Sequence, residues 1–206
     1  MTAFAQSERR ALSDLMLEVG PDAPTRCEGW TVRDLAAHLL LRERRLDAAP
    51  GIVIGPLRWY TEQVQRRLGD RPWPALVQAV RSGPPALLRP IDEQANLVEM
   101  FIHHEDVRRA QPQFEPRALD PAEERALWAR LSPMARLARR RLPVGATFEA
   151  PGFGRVEARP GEPHVTVTGR PGELLLFLFG RQDVARVEMS GPPDAIARLR
   201  AARLRI

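Results

Sequence analysis

The chain has no lysine and a single cysteine, Cys27, among its 206 residues. One cysteine excludes an internal disulfide and a disulfide scaffold, and it agrees with a reducing compartment. The longest apolar run, residues 174–179, is far shorter than the ~18 residues that a membrane span needs. The first fifteen residues lack the apolar core of a signal peptide. We therefore expect a folded cytoplasmic protein without a membrane partner.

The absence of lysine also affects how the high pI of the sequence is interpreted. All 31 basic residues are arginine, set against 26 acidic residues, and the sequence pI is near 10.9 at a net charge of only +5. The arginines are spread along the chain and interleaved with acids, so they do not indicate a basic patch. The densest group, residues 136–141, follows a helical pattern that favours a solvated helix face over a phosphate site. We expect no nucleic-acid partner.

Helical periodicity extends to about residue 142. The first predicted helix, residues 4–19, ends at Gly20-Pro21, and the second begins with a capping-box-like Thr31-Val-Arg-Asp34 and runs to about Ala48. The third predicted helix covers residues 56–68 and 74–82 and is interrupted at Arg71-Pro72. The fourth and fifth cover residues 92–110 and 120–141, and the fifth is kinked or split at Pro133.

A different pattern follows residue 142. Three β-rich runs, residues 146–149, 155–158 and 164–168, predict a small antiparallel sheet. A helix over 172–180, a strand over 184–190 and a helix over 192–203 complete this part. We therefore expect an α+β protein, with an antiparallel four-helix bundle in residues 1–142 and a small α+β domain in residues 143–206.

Histidines and a glutamate carry the chemistry that the sequence suggests. His38 lies in the middle of an apolar helical segment, and Glu99 and His103 lie one helical turn apart in another. A buried carboxylate beside an imidazole is costly unless the two are paired or bind a metal. Two histidines and one carboxylate are a ligand set for Zn²⁺ in open catalytic sites or Fe²⁺ in oxygenases. The alternative is a buried His–Glu hydrogen bond without a metal.

Neighbouring residues widen the candidate site. Arg42 lies one turn beyond His38, and His104 and Glu105 follow His103, so we interpret all three as candidates for substrate binding. Their alternative role is surface salt bridging. His104 points about 100° away from His103 on a helix, so it is an alternative to His103 as a ligand and not a partner of it. Cys27 has no histidine near it in sequence, and we interpret it as structural.

Two motifs also suggest a family. The segments CEGWTVRDLAAHL and VEMFIHHEDVRRA resemble the N-terminal domain of mycothiol-dependent maleylpyruvate isomerases, within the DinB-like helical metalloproteins. HLLLRERRLDAAPGI and FIHHEDVRRA resemble an uncharacterised metal-binding branch of that family. The segments HVTVTGRPGELLLFLFGR and VARVEMSGPPDAIARL are similar to the sterol-carrier-like domain that accompanies such bundles.

The resemblance implies a bundle that holds a divalent metal, usually zinc, through His38, Glu99 and His103. It implies that mycothiol or a similar small thiol is a cosubstrate, and that a C-terminal arginine, here Arg181, is catalytic. The expected function is thiol-dependent transfer or isomerisation on a small electrophilic substrate, by a monomer or a homodimer. Differences in length leave maleylpyruvate itself outside the prediction. The alternatives are a metal-dependent hydrolase that uses zinc-bound water and a non-catalytic metal- or ligand-binding module.

Overall fold

The structure, a computed structural model, describes residues 4–204 and has an α+β fold. The helices within this range are α1 Phe4–Val19, α2 Val32–Arg44, α3 Arg58–Gly69, α4 Trp73–Arg81, α5 Asp92–Arg108, α6 Pro121–Leu137, α7 Pro171–Leu178 and α8 Pro193–Ala201. The strands are β1 Gly145–Ala150, β2 Gly154–Arg159, β3 His164–Thr168 and β4 Glu188–Ser190. Short 3-10 helices lie at Ala49–Ile52, Gly55–Leu57, Ala86–Ile91 and Ala138–Arg140.

The chain forms two compact units, of which the first ends at Glu115 and the second begins at Pro116. The predicted boundary at residues 142 and 143 differs because α6 packs against α7 and β2. The helix that we placed in the N-terminal bundle thus belongs with the C-terminal sheet. Its apolar positions indicated burial correctly but could not indicate the partner.

In the first unit, α1 packs against α4 and α5, and α2 packs against α3 and α4. The apolar faces of these helices form one core, whose fully buried members include Leu12, Met16, Leu35, Leu39, Leu76 and Met100. This core holds the middle of α2 and of α5 in place, and both carry predicted site residues.

The start of α2 follows the prediction. The Asp34 amide donates to the Thr31 hydroxyl, and the Asp34 carboxylate accepts from the Thr31 amide at 2.9 Å, which makes a reciprocal capping box. The end of α2 comes at Arg44, before the predicted Ala48. Arg45 leaves the helical conformation, with φ -121° and ψ 67°, and a 3-10 helix that contains Pro50 follows at Ala49–Ile52.

The second unit contains a four-stranded sheet in the order β2-β1-β3-β4. Strands β1 and β2 form an antiparallel hairpin, but β1 and β3 are parallel, so the prediction of a purely antiparallel sheet was wrong. Strand β2 pairs with one edge of β1. Strand β3 pairs with the other edge and runs in the same direction as β1. Strand β4 covers only Glu188–Ser190 and pairs antiparallel with β3.

Helix α6 continues through Pro133 to Leu137 without a break. At the start of β2, Gly154 has a φ of 147°, which favours glycine, and a Cβ there would lie 3.0 Å from the indole nitrogen of Trp128 on α6. Within residues 4–204, none of the helices combines the length and the apolar character needed to cross a membrane.

Candidate metal centre

His38, Glu99 and His103 lie together in the first unit. His103 Nε2 is 3.2 Å from Glu99 Oε1, and His38 Nε2 is 3.8 Å from the same oxygen. One donor atom from each residue falls within 4.8 Å of the others. Helix α2 supplies His38 and α5 supplies the other two, so the predicted grouping forms across two helices. We call these three residues the donor triad.

The triad is shielded but not sealed. His38 is 8% exposed and His103 is 9% exposed, whereas the Glu99 side chain keeps 22% of its surface in solvent. The Trp30 ring lies 4.9 Å from the His38 ring, centre to centre, and forms an aromatic wall beside it. A small ion or ligand thus has an approach to the triad from the side of Glu99.

A second carboxylate lies on the other side of the His103 ring. His103 Nδ1 is 3.0 Å from Asp106 Oδ2, and Asp106 is fully buried. The Cys27 thiol donates to the same oxygen at 3.2 Å and lies 3.8 Å from Nδ1. Histidines that bind metals usually donate their other ring N–H to a carboxylate. Asp106 therefore lies where it can hold the His103 ring with Nε2 directed at Glu99.

Asp106 and the place of Cys27 were not predicted from the sequence. Asp106 follows His103 by three residues, a spacing that puts both on one helical face, so a pattern was available. Cys27 had no such pattern, because the fold brings it to His103 from a distant loop. The Arg26 amide donates to the main-chain oxygen of Asp106 at 3.0 Å and fixes that loop against α5.

The pKa shifts follow from burial and from these partners. Burial lowers the pKa of His38 below its usual 6.5. Burial alone would raise the pKa of Glu99, but hydrogen bonds from His103 and His38 outweigh it and hold that pKa well below 4.5. Burial would likewise lower the pKa of His103, yet the contacts to Asp106, Cys27 and Glu99 raise it well above 6.5. Without a metal, the centre therefore stabilises a proton on His103.

Arg42 lies beside the triad, as predicted for a residue near the substrate. Its Nε is 3.4 Å from Glu99 Oε1, and its Nη1 donates to Asn96 Oδ1 at 2.5 Å. Asn96 in turn donates to Asp92 Oδ1 at 2.7 Å. The Arg42 side chain is 30% exposed, so solvent reaches it. Its role in substrate binding stays a prediction.

The structure does not bring His104 and Glu105 to the triad. His104 Nδ1 lies 2.8 Å from Glu8 Oε2 on α1. The Glu105 carboxylate, on a residue only 1% exposed, accepts from Arg108 at 2.9 Å and from Arg109 at 2.6 Å. Successive helical residues point about 100° apart, so these side chains leave α5 on other faces than His103. Among residues 4–204, two groups have metal-ligand spacing, the donor triad and the set of Cys27, His103 and Asp106, and His104 belongs to neither.

Arg181 lies in the second unit, just after α7. Its Nη1 donates to the main-chain oxygen of Phe179 at 2.6 Å. Its predicted catalytic role stays a prediction.

Comparisons of the chain with protein-family models, with curated proteins and with solved structures found no match.

Proposed function

We propose that the protein is a divalent-metal enzyme, with zinc as the expected metal, that uses an activated small thiol such as mycothiol for transfer or isomerisation on a small electrophile. The observation that carries the metal part is the donor triad, in which two imidazoles from different helices converge on one carboxylate oxygen. The thiol and the reaction class rest on the family resemblance of the two sequence motifs.

The residues fit a zinc ion. Imidazole nitrogens and carboxylate oxygens are ordinary zinc ligands, and a set of three leaves one position for an exchangeable ligand, as in catalytic sites. A bound zinc ion would lower the pKa of a coordinated thiol or water toward neutrality. The carboxylates of Glu99 and Asp106 flank the His103 ring and supply negative charge near the proposed cation.

The protein's own groups have separable tasks in this proposal. Asp106 accepts the Nδ1 proton of His103 and orients the ring. Arg42 neutralises part of the charge on Glu99 and, being partly exposed, is suited to hold an anionic group of the thiol or the substrate. Trp30 covers one side of His38 and limits the access of water.

We also propose that the first unit is a DinB-like four-helix bundle and the second a sterol-carrier-like domain. Pairwise contacts between α1 and α5, between α1 and α4, and between α2 and α4 support the bundle. The small mixed sheet with α7 and α8 supports the second assignment.

Metal content tests the first part of the proposal. Gently purified protein should contain close to one zinc ion per chain, and His38→Ala, Glu99→Ala and His103→Ala should each lose it. His104→Ala is the matched control, because it removes a buried imidazole from the same helix that does not reach the triad. Equal zinc in wild type and all three triad variants would contradict the assignment.

Thiol binding tests the second part. Cobalt-loaded protein with Cys27→Ser should develop a thiolate-to-metal absorption band when mycothiol is added, since the variant has no other sulfur ligand except methionine. If cobalt binds but no thiol tested produces the band, the thiol mechanism fails. Turnover of ester or amide substrates without thiol would then favour the hydrolase alternative.

A further inference from the structure

The Nδ1 side of the His103 ring carries a second group of metal donors. Cys27 Sγ, His103 Nδ1 and Asp106 Oδ2 lie 3.0 to 3.8 Å from one another. Adjacent nitrogen, oxygen and sulfur ligands of a tetrahedral zinc ion are separated by roughly 3.4 to 3.6 Å. The three atoms thus already stand near the spacing that a shared cation would impose.

We propose that Cys27, His103 and Asp106 form an alternative cation site for a thiophilic divalent metal such as Cd²⁺, occupied instead of the donor triad. The two sites use opposite nitrogens of one imidazole. A cation at the triad leaves the ring proton on Nδ1, where Asp106 accepts it. A cation at the alternative site leaves the ring proton on Nε2, where Glu99 accepts it at 3.2 Å.

This symmetry makes the exchange chemically balanced. When the cation binds at the alternative site, the Cys27 thiol loses one proton to solvent and the sulfur becomes a thiolate ligand. When a cation passes from the triad to this site, the His103 ring stays neutral, because its proton moves from Nδ1 to Nε2. In the metal-free protein, where His103 carries a proton on both nitrogens, binding also releases the Nδ1 proton to solvent. In both states a carboxylate supports the ring from the side opposite the metal, which is the usual arrangement around a metal-bound histidine.

Charge and softness favour different metals at the two sites. The alternative site offers a thiolate and a carboxylate, two negative charges, to a divalent cation. The triad offers one carboxylate, which Arg42 already partly neutralises at 3.4 Å. Soft thiolate ligands select thiophilic metals over those that prefer oxygen and nitrogen. We therefore expect Cd²⁺ at the alternative site.

The site is held in place and within reach of solvent. Asp106 is fully buried on α5, and the main-chain hydrogen bond from Arg26 to Asp106 fixes the loop that carries Cys27. Cys27 itself is partly exposed, so an ion has a way in. To reach ligand spacing, the sulfur must move slightly closer to Nδ1, and the Asp106 oxygen must move slightly away from both atoms.

Cadmium titration, followed by ultraviolet absorption without added thiol, tests this proposal. Wild type should bind one Cd²⁺ per chain with a thiolate-to-cadmium charge-transfer band. His38→Ala should keep the band, since it disables only the triad. Cys27→Ser should lose the band, and Asp106→Ala should weaken the cadmium affinity measured from it about tenfold or more. His104→Ala should match wild type.

Several results would overturn the proposal. The first is the absence of the band in folded wild type. The second is loss of the band in both His38→Ala and a second triad variant, Glu99→Gln. The third is a cadmium affinity that Asp106→Ala leaves unchanged. A band that appears only with cadmium-linked dimers in light scattering would also overturn it. The proposed function fails on a different result, namely a zinc content of the Cys27→Ser protein that does not fall when His38 is replaced by alanine, so the two failures are distinguishable.

Discussion

Two buried polar clusters of the first unit balance the charge of their carboxylates in different ways. In the Arg9 cluster, formed by Arg9, Glu43 and Asp92, a fully buried guanidinium donates to Glu43 at 2.5 Å and to both oxygens of Asp92 at 2.8 and 2.9 Å. In the His103 cluster, formed by the triad with Cys27 and Asp106, two carboxylates flank an imidazole. The first cluster contains its own permanent cation, whereas the second has its charge supplied by a proton or a metal.

The clusters adjoin along the chain and share a hydrogen-bonded connection. Arg42 and Glu43 are consecutive on α2, and their side chains serve one cluster each. Asp92 of the Arg9 cluster accepts from Asn96, which accepts from Arg42 beside the triad. We infer from the comparison that the permanent arginine serves stability, and we propose that the His103 cluster serves cation binding.

Removing the permanent cation should produce the largest effect. Arg9→Met leaves Glu43 and Asp92 without their shared partner in a buried site, so we expect a loss of about 3–5 kcal/mol in the free energy of unfolding. Urea unfolding measures this change. If the variant folds, its zinc affinity should stay near that of wild type. A loss below about 1 kcal/mol would show that the pairing does not support the fold.

Removing the support behind His103 should affect binding more than folding. Asp106→Ala should weaken zinc affinity about 10–100-fold, because the ring loses the acceptor that orients it. Competition with a chromophoric chelator measures this affinity. Asp106→Asn keeps an acceptor oxygen and should recover part of the loss. Equal affinity in wild type and Asp106→Ala would remove Asp106 from the centre.

Zinc affinity at the His103 cluster should depend on pH, because a proton and a metal compete for His103. The pKa of His103 is raised above 6.5, so in neutral solution zinc must displace a proton, while Glu99 is already ionised and His38 already neutral. Zinc affinity should therefore increase by about tenfold per pH unit until the pH passes the His103 pKa. Chelator competition across pH measures the slope. Asp106→Asn should move the rise to lower pH, and a flat profile in wild type would contradict a protonated His103.

The smallest effect is expected at the start of α2. Thr31→Ala removes the hydroxyl that caps the helix and should cost about 1 kcal/mol of stability, seen as a lower urea midpoint. Zinc content should not change, because His38 lies two turns inside the helix. Loss of zinc in a folded Thr31→Ala protein would show that the cap positions the centre.

Local patterns predicted the parts of the molecule that depend on near neighbours. The Thr31–Asp34 capping box and the one-turn spacing of Glu99 and His103 appear directly in the structure. Placing His38 beside them required one further assumption, that its polar ring in an apolar helix seeks a partner.

Long-range pairing could not be predicted in the same way. Nothing near Cys27 indicates His103, and nothing near His104 indicates Glu8, because each pair is joined only by the folded core. Strand propensity likewise does not decide which edge of β1 receives β3, so the parallel pair was missed. Helix α6 shows an apolar face whichever unit it packs on.

The most direct test of the metal centre is zinc X-ray absorption spectroscopy on the Cys27→Ser protein. We expect a first shell of nitrogen and oxygen only, with the outer-shell scattering of two imidazoles and a single carboxylate, and loss of one imidazole in the additional His38→Ala variant. No bound zinc, or a shell that His38→Ala leaves unchanged, would contradict the assignment of His38, Glu99 and His103.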